Sequence, residues 1–336
     1  MKILVIRFSS IGDIVLTTPV VRCLHEQIGA EVHYLTKANF ASILAPNPHI
    51  GKVISFRRDL GEVLPLLRKE NYDAIVDLHQ NLRSWRVRRA LWRTTSYGFD
   101  KINFRKWLMV NLKINILPDI HIVDRYLIAA QKLGIVNDGK GLDYFVPPEN
   151  QIDIETLSAQ NPAWKRLPNE PFVAVVIGAA HATKRLPEHK IVELCHQITQ
   201  PIVLLGGRDD TEAGAKIATT VGAGVLNLCG VLRLHESASV VGQAQTVVTH
   251  DTGMMHIAAA LHRDIVSIWG NTVPEFGMTP YFPTVVSAVS KVVEVKGLGC
   301  RPCSKIGFGA CPKGHFRCME AIDFQDVAPI VNNGGL

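Results

Sequence analysis

Short apolar runs alternate with amphipathic stretches along most of the chain. In the first half, apolar runs predict strands at residues 2–8, 32–35, 53–56 and 74–78. Helical spacing predicts helices at residues 13–28, 39–44, 60–70, 82–92 and 121–133. The second half repeats the alternation, with strands at residues 172–177, 202–205, 225–228, 246–249 and 265–268. Its helices are predicted at residues 188–199, 211–221, 236–243 and 254–261.

The two series of elements predict an α/β protein with two Rossmann-like, doubly wound domains that face a central cleft. A chain of 336 residues exceeds the usual size of a single core, and the segment at residues 145–148 has the character of a connection. We therefore expect one domain at residues 1–150 and another at residues 151–336. Ligands in such sheets bind beyond the carboxyl ends of the strands, so those loops carry the candidate site residues.

The charged residues add an anionic partner to this picture. The net charge is only +6, but arginines concentrate at residues 83–93, and Arg105 and Lys106 follow. Such clusters suit a phosphorylated lipid, a membrane surface or nucleic acid, although a solvated helix face would explain them as well. The sequence has no run of about 18 uncharged apolar residues, and its N-terminal apolar run is too short for a signal peptide. A cytoplasmic protein is therefore expected.

The first predicted strand runs into Ser9-Ser10-Ile11-Gly12-Asp13. Only one glycine lies there, so the loop lacks the G-x-G-x-x-G fingerprint, and a nicotinamide dehydrogenase is disfavoured. Asp13 lies at or near a helix N-terminus, where a carboxylate commonly caps free N–H groups. A carboxylate in that place also points into the predicted cleft, where it can take a proton from an acceptor hydroxyl. The residues leave both roles open.

Two loops of the second half carry residue types that bind a nucleotide. Gly178 and the pair Lys184 and Arg185 follow its first strand, and small and basic residues before a helix suit a phosphate. A basic loop in solvent is the alternative. Asp210 and Glu212 follow the next strand, where a carboxylate either accepts hydrogen bonds from ribose hydroxyls or caps a helix.

The sharpest motif is Asp251-Thr252-Gly253, which the strand at residues 246–249 delivers to a predicted helix N-terminus. Free N–H groups and the helix dipole bind a diphosphate at such a place. His256 lies on the first turn of that helix, and we expect it to face the same anion.

Taken in order, these motifs resemble the heptosyltransferases of lipopolysaccharide inner-core assembly, glycosyltransferase family 9, whose fold is the two-domain GT-B architecture. The matching segments span nearly the whole chain and are Ser9-Ser10-Ile11-Gly12-Asp13 with Pro19, Asp73-Ala74-Ile75-Val76-Asp77-Leu78-His79, Lys184-Arg185-Leu186-Pro187, Gly206-Gly207, Asp251-Thr252-Gly253-Met254-Met255-His256 and Trp269-Gly270. Each segment alone is weak, whereas the ordered set is specific. Ala179 and Ala180 depart from the pattern, which has hydroxyl residues there, so the transferred sugar is left open.

The resemblance implies an inverting transfer of heptose or a related sugar from an ADP-sugar, such as ADP-heptose, to a phosphorylated lipopolysaccharide-core glycolipid, without a catalytic cofactor. Asp13 matches the proposed catalytic base, and Lys184 matches a lysine that contacts donor phosphate. Asp210 and Glu212 rank equally as the ribose ligand. Donor binding falls to the C-terminal half, at Gly178, Lys184, Arg185, Asp210, Glu212, Asp251, Thr252, Gly253 and His256. Acceptor binding falls to the N-terminal half, at Ser10, Gly12, His79, Asn81, Arg83 and Arg86.

Two alternatives to this activity stay open: a GT-B-like sugar-nucleotide epimerase, and a non-catalytic protein that binds RNA or another anion. The sequence lacks the interleaved aromatic residues of a known RNA module, so we expect no nucleic-acid partner. If residues 82–92 are helical, Arg86, Arg89 and Arg93 share one face. That face is expected to contact acceptor phosphates or the anionic inner face of the cytoplasmic membrane. Trp85 and Trp92 are expected in the core.

The last candidate site is a cysteine-rich segment near the C-terminus. Cys300 and Cys303 form a C-x-x-C pair, followed by Cys311 and Cys318, with His315 between those two. These are the ligand types and the compact spacing of a structural zinc site, although the second pair is not C-x-x-C. Reduced thiols in a loop, or a disulfide formed under stress, are the alternatives.

Overall fold

The computed structural model describes residues 1–164, 166–325 and 327–333. The chain forms two compact units. Unit 1 comprises Met1–Ile102, Asp119–Phe145 and Tyr281–Val285, and unit 2 comprises Asn103–Pro118, Val146–Pro280 and the residues from Val286 onwards. The units therefore interleave in sequence, because residues 103–118 pack with unit 2 and residues 281–285 with unit 1.

Each unit is built on one parallel sheet. The strands of unit 1 are β1 (Lys2–Ile6), β2 (Glu31–Lys37), β3 (Lys52–Phe56), β4 (Ala74–Asp77) and β5 (Thr95–Gly98). Their order in the sheet is β3-β2-β1-β4-β5. The strands of unit 2 are β6 (Val173–Val176), β7 (Ile202–Leu205), β8 (Val225–Asn227), β9 (Thr246–His250), β10 (Asp264–Trp269) and β11 (Ser290–Glu294). Their order is β11-β10-β9-β6-β7-β8.

In both sheets the chain starts near the middle, winds to one edge, and returns to continue towards the other edge. That strand order, with parallel pairing throughout, is the doubly wound Rossmann arrangement. The predicted fold class, two Rossmann-like units of the GT-B type, is confirmed.

The helices lie between the strands. Those of the first half are α1 (Ile11–Val15), α2 (Thr18–Ile28), α3 (Ala41–Leu44), α4 (Leu64–Lys69), α5 (Leu82–Ala90), α6 (Asn103–Leu112) and α7 (Ile122–Ala130). Those that follow are α8 (Ile154–Gln160), α9 (Glu188–Gln197), α10 (Thr211–Val221), α11 (Leu234–Gln243), α12 (Gly253–Ala260), α13 (Arg317–Glu320) and α14 (Ala328–Asn333). Single 3-10 turns lie at Ala38–Phe40, Leu60–Glu62, Gln131–Leu133, Pro148–Asn150, Pro162–Trp164, Ala182–Lys184, Arg208–Asp210 and Pro274–Phe276.

The central strands are buried on both faces, which is why they appear as continuous apolar runs rather than as alternating ones. Ile3, Leu4, Val5 and Ile6 of β1 are fully buried. Each such side chain stabilises the fold by about 1.5–3 kcal/mol relative to an exposed position. Because β1 pairs in parallel with both β2 and β4, the loops that follow these strands leave the sheet at the same edge.

The long helix predicted at residues 13–28 is wrong, because the chain forms two helices there. Pro19 lies in the first turn of α2, where its missing N–H costs nothing, whereas inside a continuous helix it would break the ladder. The hydroxyl of Thr18 donates to the carbonyl of Val15 at 2.7 Å, and that of Thr17 to the carbonyl of Ile14 at 2.7 Å. These side chains replace backbone bonds that a continuous helix would have made.

Elements that were not predicted have weak patterns. β5 is a short polar edge strand, and α6 carries apolar residues on both faces, so neither shows a one-sided period. The core position expected for Trp85 and Trp92 is wrong: their side chains are 51% and 69% exposed. α5 instead buries Ser84 and Val87.

Candidate functional site

The loop after β1 presents Asp13 at the carboxyl edge of the first sheet. Ser10 precedes α1, and its backbone N–H and its hydroxyl donate to Asp13 Oδ2 at 3.1 and 2.9 Å. The guanidinium of Arg7, one residue past β1, contacts Asp13 Oδ1 at 2.7 Å. The Asp13 side chain is 23% exposed. It therefore closes the first turn of the helix as a cap does and still keeps access to solvent.

Arg7 holds this carboxylate in a fixed position. Its guanidinium donates to the carbonyls of Ser9 and Leu78 at 2.8 and 2.6 Å and to the hydroxyl of Tyr126 at 3.0 Å. Burial alone would raise the pKa of Asp13, but the charge of Arg7 and the hydrogen bonds from Ser10 outweigh it and hold that pKa below its ordinary value. Asp13 is thus a carboxylate at neutral pH. Sequence reasoning overlooked Arg7, because the strand predicted at residues 2–8 included it; the available signal was a charged residue inside that apolar run.

The loop after β4 carries His79, one of the predicted acceptor residues. Its ring packs on Phe8 at 4.7 Å between centroids, and its buried Nδ1 has no hydrogen-bond partner among the described residues. Burial, and then the charge of Arg7, lower the pKa of His79 to about 3. The ring is therefore neutral at physiological pH.

The other predicted acceptor residues have different surroundings. Gly12 is buried in α1, and Ser10 is exposed. Asn81 caps α5, since its side-chain oxygen accepts from the backbone N–H groups of Arg83 and Ser84 at 2.9 Å. Arg83 is exposed, and only its backbone N–H takes part in the cap, so the cap does not involve its guanidinium.

The arginine face predicted on this helix is smaller than expected. α5 ends at Ala90, so Arg93 lies outside it and instead packs over the ring of Trp92 at 5.0 Å. Arg86 is 52% exposed at its side chain and lies 3.7 Å from Asp59. Arg89 is exposed on the last turn of α5.

In unit 2, Lys184 and Asp251 meet at the carboxyl edge of the sheet. The Lys184 ammonium contacts the carboxylate of Asp251 and also its carbonyl, the latter at 3.2 Å. Thr272, in the loop after β10, donates to the same carboxylate at 2.8 Å. Asp251 thus orients Lys184, and Thr272 is a contributor that sequence reasoning did not single out.

The carboxylate of Asp210 is tied to the neighbouring loops of the same edge. It accepts from Arg185 Nη1 at 2.8 Å and from the backbone N–H of Gly207 at 2.8 Å. A Cβ at Gly178 would lie 2.3 Å from Asp210 Oδ2, which explains the glycine there. Glu212, by contrast, has a side chain that is 83% exposed and pairs with Lys216 at 2.7 Å on α10. The structure therefore separates two carboxylates that the sequence ranked equally.

The motif Asp251-Thr252-Gly253 leads into α12. Thr252 is the residue before the helix and has extended backbone, and Gly253 is the first helical residue. Free backbone N–H groups at this terminus, with the helix dipole, suit an anion. His256 is buried within α12 at 2% exposure. The ring of His250, at the end of β9, accepts from the backbone N–H of Leu186 at 2.9 Å, and burial lowers its pKa to about 4.

The cysteine-rich segment is attached to loops at the carboxyl edge of the unit 2 sheet. Arg301 donates to the carbonyls of Gly270 and Thr272 at 2.6 and 2.8 Å, and it pairs with Glu294 at 2.7 Å. The backbone N–H of Phe308 donates to the hydroxyl of Thr183 at 2.8 Å, next to Lys184. This segment therefore supports the loops that carry Lys184 and Thr272.

The four cysteines of that segment are free thiols. Cys300 Sγ lies 3.8 Å from His315 Nε2. Burial, and then the nearby thiols, raise the pKa of Cys303, and burial raises the pKa of Cys318 to about 11. Within residues 1–164, 166–325 and 327–333, no group of three or more His, Cys, Asp or Glu side chains has an arrangement that could hold a metal ion.

Comparison with known proteins decides the family. The model of glycosyltransferase family 9 (heptosyltransferase) matches residues 62–306, which is most of the chain. This chain belongs to glycosyltransferase family 9. The resemblance drawn from the order of its motifs is confirmed, and the protein is a glycosyltransferase.

Relatives and solved structures agree with this membership. Over 306 aligned residues the chain is 26% identical to lipopolysaccharide heptosyltransferase 2 of Salmonella typhimurium, with 82% of this chain and 84% of the relative covered. The structure of a family 9 glycosyl transferase from Veillonella parvula superposes with a TM-score of 0.70 at 19% identity, covering 87% of this chain and 85% of the other. ADP-heptose lps heptosyltransferase II of E. coli gives a TM-score of 0.63 at 23% identity, covering 96% and 98%. Family membership disfavours the epimerase and the RNA-binding alternatives.

No helix in the described part of the chain is both long enough and apolar enough to span a bilayer.

Proposed function

We propose that this glycosyltransferase moves a heptose from ADP-heptose to a phosphorylated glycolipid of the lipopolysaccharide core, with inversion at the anomeric carbon and without a catalytic metal. The observation that carries the proposal is the ionised, partly exposed Asp13 carboxylate at the carboxyl edge of the unit 1 sheet, fixed by Arg7 and Ser10. In a family 9 chain, that position suits the base that activates an acceptor hydroxyl.

The acceptor step follows from the chemistry of Asp13. Its carboxylate accepts the proton of the acceptor hydroxyl as that oxygen attacks the anomeric carbon, opposite the departing diphosphate. The charge of Arg7 and the hydrogen bonds from Ser10 lower the pKa of Asp13, which favours the ionised form at neutral pH at the expense of basicity. The contact with Arg7 keeps the carboxylate oriented, so little reorganisation is needed when an acceptor arrives.

In this proposal, residues of unit 2 stabilise the diphosphate leaving group. Negative charge grows on the diphosphate in the transition state, and the Lys184 ammonium together with the N–H groups at the start of α12 stabilise it. The carboxylate of Asp251, which also accepts from Thr272, contacts the Lys184 ammonium at this edge of the sheet. Asp210, held by Arg185, lies on the loop after β7, where a carboxylate accepts from ribose hydroxyls. We therefore propose Asp210 rather than Glu212 as the ribose ligand.

A donor panel tests the whole proposal. Release of nucleotide from ADP-, UDP- and GDP-sugars is measured with and without core glycolipid, and the product is analysed for anomeric configuration. The proposal requires acceptor-dependent release from ADP-heptose with inverted product. Release without acceptor, or sugar conversion that leaves the nucleotide attached, contradicts it.

A structural zinc ion on Cys300, Cys303, Cys311 and Cys318 is a separate part of the proposal. Its support is the set of soft ligands in one short segment and the contact between Cys300 and His315. The side chains would have to converge further to complete a tetrahedral site. Elemental analysis of protein purified without chelator or histidine tag tests it. Less than about a tenth of an equivalent of zinc, with all four thiols freely titratable, contradicts it.

The last part of the proposal is that the enzyme acts at the inner face of the cytoplasmic membrane. A glycolipid acceptor is anchored in a bilayer, and the exposed arginines of α5, Arg83, Arg86 and Arg89, suit phosphates at its surface. Co-sedimentation with anionic liposomes measures this contact. Charge reversal at Arg86 and Arg89 should weaken it, and indifference to both lipid charge and these substitutions contradicts it.

A further inference from the structure

α6 is unusual because it has apolar side chains on opposite faces. Met109 is buried and packs with Val273 and Phe276 of the same unit. Phe104, Trp107 and other large residues lie on the outer face, which is the opposite of an ordinary surface helix. Single exposed apolar residues are normal, but a contiguous group of them marks an interaction surface.

The outer face has helical spacing. Phe104 and Trp107 are three positions apart, so they lie on neighbouring turns of one side of α6, and Leu112 is exposed at the end of the helix. Their exposed fractions are 70%, 52% and 53%. The rings of Phe104 and Trp107 stack nearly parallel, 6.4 Å apart at 11°. The chain leaves the helix with Ile114 and Ile116, which are 49% and 48% exposed.

The positive charge of this surface indicates an anionic partner. Residues 103–116 contain Arg105, Lys106 and Lys113 and neither Asp nor Glu. A second copy of the chain would bring these cations against each other, which disfavours self-association. Aromatic and aliphatic side chains with cations and no carboxylates are the composition of segments that lie in the interface of an anionic bilayer.

The surface is held firmly on unit 2. The Lys113 ammonium donates to the carbonyl of Pro302 at 2.7 Å, and the ammonium of Lys106 lies over the ring of Phe276 at 5.7 Å. At the other end of α6, Lys305 lies 3.5 Å from the side-chain oxygen of Asn103. The apolar face is therefore presented without any unfolding of the helix, and little ordering cost opposes docking.

We propose that residues 103–116 dock this chain onto an anionic lipid bilayer, with the stacked rings of Phe104 and Trp107 entering the interfacial region. This anchor is distinct from the arginines of α5, because it adds apolar insertion to charge attraction. The proposal rests on the proposed function only in that a glycolipid acceptor lies in a membrane. Vesicle binding itself needs neither donor nor acceptor.

The test compares two double variants of the full chain. Phe104→Ser with Trp107→Ser removes the two aromatic anchors, and both are exposed enough to change without loss of the fold. Leu167→Ser with Val231→Ser is the matched control, since these side chains are 68% and 67% exposed elsewhere in unit 2. Binding is measured by co-sedimentation with vesicles of phosphatidylcholine alone and of phosphatidylcholine with phosphatidylglycerol. Light scattering reports the oligomeric state of each protein.

Wild type should bind the anionic vesicles more strongly than the neutral ones. The aromatic double variant should lose at least about tenfold in affinity, because each inserted side chain contributes several-fold or more, and the control should stay within about twofold. Arg105→Glu should weaken binding to anionic vesicles and leave the residual binding to neutral ones unchanged.

Three results would overturn the proposal. Wild type that binds neither kind of vesicle is the first. The second is an aromatic double variant that binds vesicles as strongly as wild type, while charge reversal at Arg86 and Arg89 abolishes binding. That result would assign the membrane contact to α5. A change from oligomer to monomer in the aromatic variant, with vesicle binding intact, would make this face a contact between copies.

Failure of the proposed function looks different from failure of this anchor. Transfer to a deacylated, water-soluble acceptor should be the same in wild type and in the aromatic variant. Absence of transfer in wild type would refute the activity and leave the vesicle result standing.

Discussion

Asp13→Asn is the substitution that tests the reaction most directly. An asparagine at this position keeps an oxygen that can accept from the backbone and the hydroxyl of Ser10. It loses the proton-accepting carboxylate and the negative charge that faces Arg7. We expect turnover to fall by roughly 10²-fold or more, which corresponds to about 2.7 kcal/mol of activation free energy.

The same change has a second, structural effect that must be separated from the first. Removing one partner of a buried ion pair costs about 3–5 kcal/mol. Here Asp13 is 23% exposed at its side chain, and Arg7 keeps its hydrogen bonds to Ser9, Leu78 and Tyr126. Solvent screening and these remaining bonds reduce the expected loss in the free energy of unfolding to about 1–2 kcal/mol.

Asp138→Asn is the matched control. Asp138 is also a partner of a buried arginine in unit 1, since Arg22 donates to it at 2.7 and 2.9 Å, but it is not a predicted site residue. Both variants should lose similar stability by urea denaturation, and only Asp13→Asn should lose turnover in the glycolipid assay. Donor affinity, measured by calorimetry with ADP, should be unchanged in both.

One result would refute the reasoning. If folded Asp13→Asn retains turnover within about threefold of wild type, Asp13 serves only to cap α1 and to neutralise Arg7.

The remaining predictions concern the donor side and the pH dependence. Lys184→Ala and Asp251→Ala should each weaken ADP binding, as measured by calorimetry. The loss for Lys184→Ala should be about 10-fold or more, because a charge-assisted hydrogen bond is lost. Unchanged ADP binding in both variants would remove these residues from the donor site. Asp210→Asn should raise the KM for the nucleotide sugar, whereas Glu212→Gln should leave it within about twofold, and the reverse order would contradict the geometry. The folded pKa of Asp13 is lowered, so its contribution to stability is present above the unfolded value of about 3.9 and is lost as pH falls through the folded value. Turnover should accordingly show no acid limb from this carboxylate between about pH 5 and 8, and a limb that Asp13→Asn abolishes in that range would contradict the assignment.

The sequence by itself determined the architecture and the places of the main candidate site residues. The apolar runs of β1, β6, β7 and β9 predict buried parallel strands because burial on both faces allows few other residue types. The loops that follow those strands, with Asp13, Lys184 and Asp251, then fall at the carboxyl edges of the two sheets, since parallel strands end together. The ordered motifs led to the family without any coordinates.

The tertiary structure decided what depends on neighbours that are distant in sequence. Asp210 and Glu212 are two residues apart and chemically alike, and only the position of Arg185 distinguishes the buried carboxylate from the exposed one. Trp85 was expected in the core because of its apolar side chain, but the inward face of α5 takes Ser84 and Val87. A helical period gives the spacing of a stripe but not the direction in which the helix is rotated.

The same limit applies to α6 and to Arg7. The sequence of α6 does not show which of its two apolar faces meets the core. The buried face is the one that packs against Val273 and Phe276, which are far along the chain. Arg7 reaches Asp13 only because the turn after β1 folds back, while Leu78 and Tyr126 come from other elements to fix the guanidinium. Local pattern predicts most of the buried strands and amphipathic helices. Packing between them determines which side chains are buried, paired or left on the surface, because those contacts join residues that no local pattern relates.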